Sequence, residues 1–161
     1  MFDRILATLA AEFSDAPDVE QITRILVRLL LAAILGGVLG YEREHQGKAA
    51  GVRTHMLVAL GAALFVLVPN QAGMSIADMS RVIQGVVAGI GFLCAGAIIK
   101  RRSEEDVQGL TTAAGVWMTA AIGIACGLGR ESTAVISAVM ALVVLNVVPR
   151  LLGNGHHRPT R

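Results

Sequence analysis

The sequence predicts an all-α membrane protein, a five-transmembrane-helix bundle preceded by an amphipathic helix on the membrane surface. Three observations predict it. Hydrophobic residues make up 54% of the 161 positions and charged residues only 16%, with a mean hydropathy of +0.63, against roughly 25% charged in an average soluble chain. The apolar residues gather in five runs, 22–40, 52–68, 82–99, 112–128 and 133–148, each near the roughly 17–25 residues that cross a bilayer. Many of the 18 glycines lie inside those runs, where small residues let membrane helices approach closely. The same composition excludes a disordered chain. A formal charge of +2 with no basic, aromatic-interleaved face excludes a nucleic-acid binder.

Residues 1–18 form an amphipathic segment. Phe2, Ile5, Leu6, Leu9 and Phe13 recur at helical spacing. Asp3, Arg4, Glu12 and Asp15 interrupt any apolar core, and no small-residue cleavage site follows, so the segment is not a signal peptide. It is expected to lie on the membrane surface. Pro17 and Asp18 open the next helix, proline being tolerated in a first turn. Residues 19–149 hold the five spans, and 150–161 form a short basic tail. The breaks EREHQGK, PNQAG, KRRSEED, GRES and PRLLGNG give very short loops. A strand reading fails because the runs are too long and do not alternate.

Orientation follows from the Lys/Arg distribution. One face collects Arg43, Lys48, Arg53, Lys100, Arg101, Arg102, Arg150, Arg158 and Arg161, nine in all, and the other Arg4, Arg24, Arg28, Arg81 and Arg130, five in all. The richer face is expected in the cytoplasm, leaving the N-terminus outside and the C-terminus inside.

Several faces are expected to pack. The third span carries Gly85, Gly89 and Gly96 with Phe92 in one narrow arc, the fourth Thr112, Gly115, Thr119, Gly123 and Cys126, and the fifth Ala134, Ala138 and Ala141. Tight bundle packing explains such stripes, and a substrate path lined by glycine backbone and threonine hydroxyls is the sharper alternative. Arg28 is a charge inside an apolar run. It either snorkels outward or pairs with an acid near that side, Asp78 or Glu131. No Asp or Glu occupies the middle of a span, whereas Mg²⁺ sites use carboxylates and retained water. Cys94 and Cys126 lie at depths about 15 Å apart at 1.5 Å per residue, too far for a disulfide. His156 and His157 belong to the tail, and no metal site, cofactor or catalytic group is expected. No hydrolase, zinc-protease or phosphate-loop motif occurs, and no enzyme is predicted.

Two segments go beyond hydropathy: GGVLGYEREHQGKAAGVRTHMLVALGAALF at 36–65, and RVIQGVVAGIGFLCAGAIIK continuing through VQGLTTAAGVWMTAAIGIACGLG to Gly129. They carry G-x-x-x-G-x-E-R from Gly36 through Gly40 to Arg43, A-G-x-R-T at 50–54, G-I-G-F-L-x-A-G at 89–96, G-L-T-T-A-A at 109–114, Trp117, and A-A-I-G at 120–123. In these motifs, which succeed one another across roughly residues 25–148, the chain resembles the MgtC/SapB family of bacterial inner-membrane proteins. The resemblance implies a regulatory inner-membrane protein linked to magnesium limitation, acid stress and intracellular survival. It also implies homo-oligomers and membrane-protein partners, the F-type ATP synthase among them. A small transporter or channel for Mg²⁺ or another cation is the alternative. The chain departs from the family at Cys94, where glycine is usual and where a thiol enlarges the contact face. Many relatives carry a further soluble cytoplasmic domain, whose functions do not carry over to this short-tailed chain.

The motifs place Glu42 and Arg43 at the end of the first span, Arg53 and Thr54 at the start of the second, and Thr111 and Thr112 at the start of the fourth, all on one membrane face. Helix N-termini favour anions. A polar site is expected there, holding an internal Glu42–Arg53 salt bridge, an anionic ligand or a lipid headgroup.

Overall fold

Each of the five apolar runs folds as one helix, and each helix is longer than the run that seeds it. A computed structural model describes residues 1–12, 18–100 and 107–151. It contains six helices: α1 (Phe2–Glu12), α2 (Val19–His45), α3 (Val52–Gln71), α4 (Ile76–Ala97), α5 (Leu110–Gly127) and α6 (Glu131–Leu151). The last five are long and apolar enough to cross a membrane. The expectations for Phe13, Pro17, Arg101, Arg102, the acidic run 104–106, His156, His157, Arg158 and Arg161 lie outside the described residues.

α4 extends ahead of its apolar run because a polar side chain caps it. Ser75 caps α4, its Oγ accepting from Asp78 N at 3.1 Å and donating to Asp78 Oδ2 at 2.7 Å, which is the reciprocal logic of a capping box. The cap moves the start of the helix six residues ahead of the apolar run and commits Asp78 to it. Pro69 and Pro149, expected to mark breaks, instead lie inside the last turns of α3 and α6. A proline there forfeits one backbone bond near an end that membrane helices can re-satisfy. Between α4 and α5, Ile99–Lys100 pairs antiparallel with Val107–Gln108, two residues a side.

The core lies along α3, against which the glycine faces of α2 and α5 both pack. A Cβ built on Gly36 would stand 2.6 Å from His55 O and 2.9 Å from Ala59 Cβ, and one on Gly40 would stand 2.6 Å from Val52 Cα. From α5, Gly123 abuts the Ala59 carbonyl and Gly127 the Ala63 carbonyl, both too closely for any side chain. Backbone-to-backbone approach of this kind is what holds helices together where lipid removes the hydrophobic drive between them. Ala32, Leu39, Ile122, Cys126, Ala134 and Ala138 complete the core around Ala59 and Ala63.

α4 sits at the edge, with Met79 its buried residue among those described. Cys94 ties it to α5, its Sγ donating to Ala113 O at 3.2 Å, and both cysteines are free thiols. Among the described residues, a Cβ built on Gly85, Gly89 or Gly96 meets no other element within 4 Å. Within the protomer the close contacts expected of that stripe fall to Gly36, Gly40, Gly123 and Gly127, while Gly85 and Gly89 border an open apolar groove whose other wall is Leu57, Gly61 and Phe65 of α3. α1 makes no extensive contact with the bundle and leaves Phe2, Ile5, Leu6 and Leu9 at least half exposed.

Candidate functional site

The polar interior of the bundle lies where the C-terminal end of α2 meets the first turns of α3 and α5. Because α2 continues five residues beyond its packing glycine Gly40, to His45, Glu42 and Arg43 are held on a rigid helix. Arg43 is only 3% exposed. Its Nε donates to Glu42 Oε2 at 2.5 Å and its Nη2 to Glu42 Oε1 at 2.9 Å. Such a two-pronged bond suits the planar fork of arginine and neutralises the buried charge.

This differs from the expected Glu42–Arg53 bridge. The Gly40 contact brings Val52 and His55, three positions apart, onto the face of α3 that touches α2. A helix rotates about 100° per residue, so Arg53 is carried to the flank, where it is exposed and makes no hydrogen bond or ion pair among the described residues. Thr54 is half-buried. Glu44 takes the capping role: its Oε2 accepts from Val52 N at 2.9 Å, placing a carboxylate on the positive end of α3.

His55 is the residue that sequence reasoning missed. It is fully buried, with Nδ1 3.0 Å from Gly51 O. That carbonyl can only accept, so Nδ1 is the donor. Nε2 is buried with no hydrogen-bond partner among the described residues. A Cβ on Gly115 of α5 would stand 3.6 Å from Nε2 and 3.8 Å from Arg43 Cδ, ordinary contact distances, so this stretch of α5 lies directly against both side chains. The signal was present in the sequence, an ionisable group four residues into an apolar run, which in a membrane helix marks a functional position by default. Thr112 and Thr119 line the same face of α5 and are buried, Thr119 donating from Oγ1 to Gly115 O at 2.9 Å. Thr111, one position round, is exposed.

At the opposite end Arg28 reaches the α5–α6 turn. Its Nη1 donates to Gly127 O at 3.3 Å, and its Nε lies 3.7 Å from Glu131 Oε1. Gly129 takes φ +73° there and faces the guanidinium directly. A cation on the last carbonyls of α5 and an acid in the first turn of α6 both complement their helix dipoles.

The chain matches the MgtC family over residues 29–153. It belongs to that family. The matched stretch contains the whole Arg43–His55 junction. SrpB of Synechococcus elongatus is 45% identical over 135 residues, covering 77% of this chain and 74% of SrpB. YhiD of Escherichia coli (strain K12) is 41% identical over 143 residues, covering 82% of this chain and 66% of YhiD. MgtC of Salmonella typhimurium (strain LT2) is 41% identical over 125 residues, covering 78% of this chain and 52% of that protein. The match therefore takes in about two thirds of YhiD and half of MgtC. No solved structure matches this chain. Five apolar helices and membership of the MgtC family make this a multi-pass bacterial membrane protein.

Proposed function

We propose that this chain is a regulatory, non-catalytic protein of the inner membrane that acts through another membrane protein in adaptation to magnesium limitation, acid stress or intracellular survival. The observation that carries this reading is that no unpaired carboxylate is buried among the described residues. Inside the bundle the buried polar groups are Arg43, His55, Thr112 and Thr119, and Glu42, beside them, is already neutralised by Arg43. A Mg²⁺ path needs carboxylates and retained water, whereas the exposed cations Lys48 and Arg53 beside the junction suit an acidic surface of a partner. Family resemblance makes the F-type ATP synthase one such partner, and self-association through the open glycine face of α4 another. The nine-to-five Lys/Arg bias supports a cytoplasmic junction and an outer N-terminus. The competing reading, cation transport, is favoured by one relative, which bears the name "Putative magnesium transporter YhiD".

Arg53 supplies the cleanest test. It is exposed and unbonded, so Arg53→Gln should leave insertion and melting unchanged while weakening growth under Mg²⁺ limitation in a strain that depends on this gene. Full growth with Arg53→Gln would remove Arg53 and its face from the partner contact.

A further inference from the structure

A cleft of about 780 Å³ opens beside the Arg43–His55 junction, between the C-terminal ends of α2 and α6 and the first turn of α5. Three cations from three different segments converge on it: Arg43 from α2, Lys48 from the following loop and Arg150 from the end of α6. No acidic residue lines it among those described. Glu42 engages only Nε and Nη2 of Arg43, which leaves Nη1. Gln46 and Thr111 add neutral hydrogen-bonding groups. Thr111 is the second residue of α5, and the cap of that helix, Gly109, contributes no side-chain bond, so the first-turn N–H groups of α5 are free of intrahelical partners and favour negative charge.

The remaining wall is apolar. Val144 and Val148 of α6 line the cleft and are 54% and 41% exposed. They lie on the flank of a span, where acyl chains run. A cleft that is cationic at the mouth and apolar along a lipid-facing helix matches an amphiphile with a phosphate group.

We propose that this cleft binds an acidic phospholipid, its headgroup phosphate held by Arg43, Lys48 and Arg150 and an acyl chain lying along Val144 and Val148. The inference stands whether the protein regulates or transports, since it concerns the lipid that surrounds it.

The experiment titrates the purified full chain in a neutral detergent with phosphatidylglycerol, phosphatidylcholine or inorganic phosphate and follows thermal melting. Phosphatidylglycerol is expected to stabilise at lower mole fraction than phosphatidylcholine, and inorganic phosphate alone not to stabilise. Lys48→Gln/Arg150→Gln removes two exposed cations, so its melting without lipid should match the parent. Its half-saturating phosphatidylglycerol should rise about thirtyfold, at the usual contribution per cation facing an anionic headgroup. Arg24→Gln/Arg81→Gln, at the other end of the bundle, should bind as the parent does. Equal stabilisation by the two lipids, unchanged binding by the Lys48/Arg150 variant or an equal loss in the Arg24/Arg81 variant would each overturn the proposal. Stabilisation by inorganic phosphate alone would do so too, and would assign the cleft to a soluble phosphate.

Discussion

Two glycines decide how the packing should be probed. Gly123 lies against the Ala59 carbonyl, while Gly89 has no neighbour within 4 Å. Gly123→Ala forces two helix backbones apart, and overpacking of that kind costs about 1–3 kcal/mol. Gly89→Ala should leave the protomer as stable as before. Thermal melting in detergent checks both, and a larger loss at Gly89 than at Gly123 would place α4 inside the bundle. Glu42→Gln should be more damaging still, because a buried arginine stripped of its carboxylate typically costs about 3–5 kcal/mol. Adding Arg43→Met should recover much of that loss, and a failure to recover would mean that Arg43 has other essential partners. The sequence named Glu42 and Arg43 as polar-site residues, but spacing could not show that the partner of Glu42 is its own neighbour. That outcome depends on the rotation of α3 that Gly40 imposes. His55 escaped for a related reason: its full burial comes from the meeting of α2, α3 and α5, and spacing along one run cannot show which residue that meeting encloses.

At the scale of elements, the five spans were legible because long apolar runs leave few alternatives. Their ends were less so. The Ser75–Asp78 cap extends α4 beyond its apolar run, and the terminal prolines of α3 and α6 are absorbed by final turns. Small-x-x-x-small spacing likewise announces close packing without saying which helix answers it. Gly36 and Gly40 of α2 and Gly123 and Gly127 of α5 answer to α3, whereas Gly85 and Gly89 of α4 carry the same spacing with nothing in close contact among the described residues. Of the two acids considered for Arg28, Asp78 is spent on the α4 cap and Glu131 lies near the guanidinium. This clasp links α2 to the α5–α6 turn. Glu131→Gln should cost under about 1 kcal/mol, since its carboxylate is partly solvated. Arg28→Ala should cost more, as it also abandons Gly127 O and the packing of its stem. A larger loss for Glu131→Gln than for Arg28→Ala in parallel melts would contradict this ordering.

For the whole molecule, the Lys/Arg asymmetry predicts a cytoplasmic C-terminus and an outer α3–α4 turn. Reporter fusions after Arg161 and near Met74 should give cytoplasmic and periplasmic signals respectively, and the reverse pattern would invert the orientation of the Arg43 junction and its cleft. The central functional claim is that a protein whose buried polar groups, among the described residues, include no unpaired carboxylate regulates rather than conducts. Mg²⁺ uptake into liposomes carrying the purified chain tests it most directly. Regulation predicts uptake no faster than in protein-free liposomes, with and without a membrane potential. Robust, saturable Mg²⁺ uptake that scales with the amount of protein would contradict it.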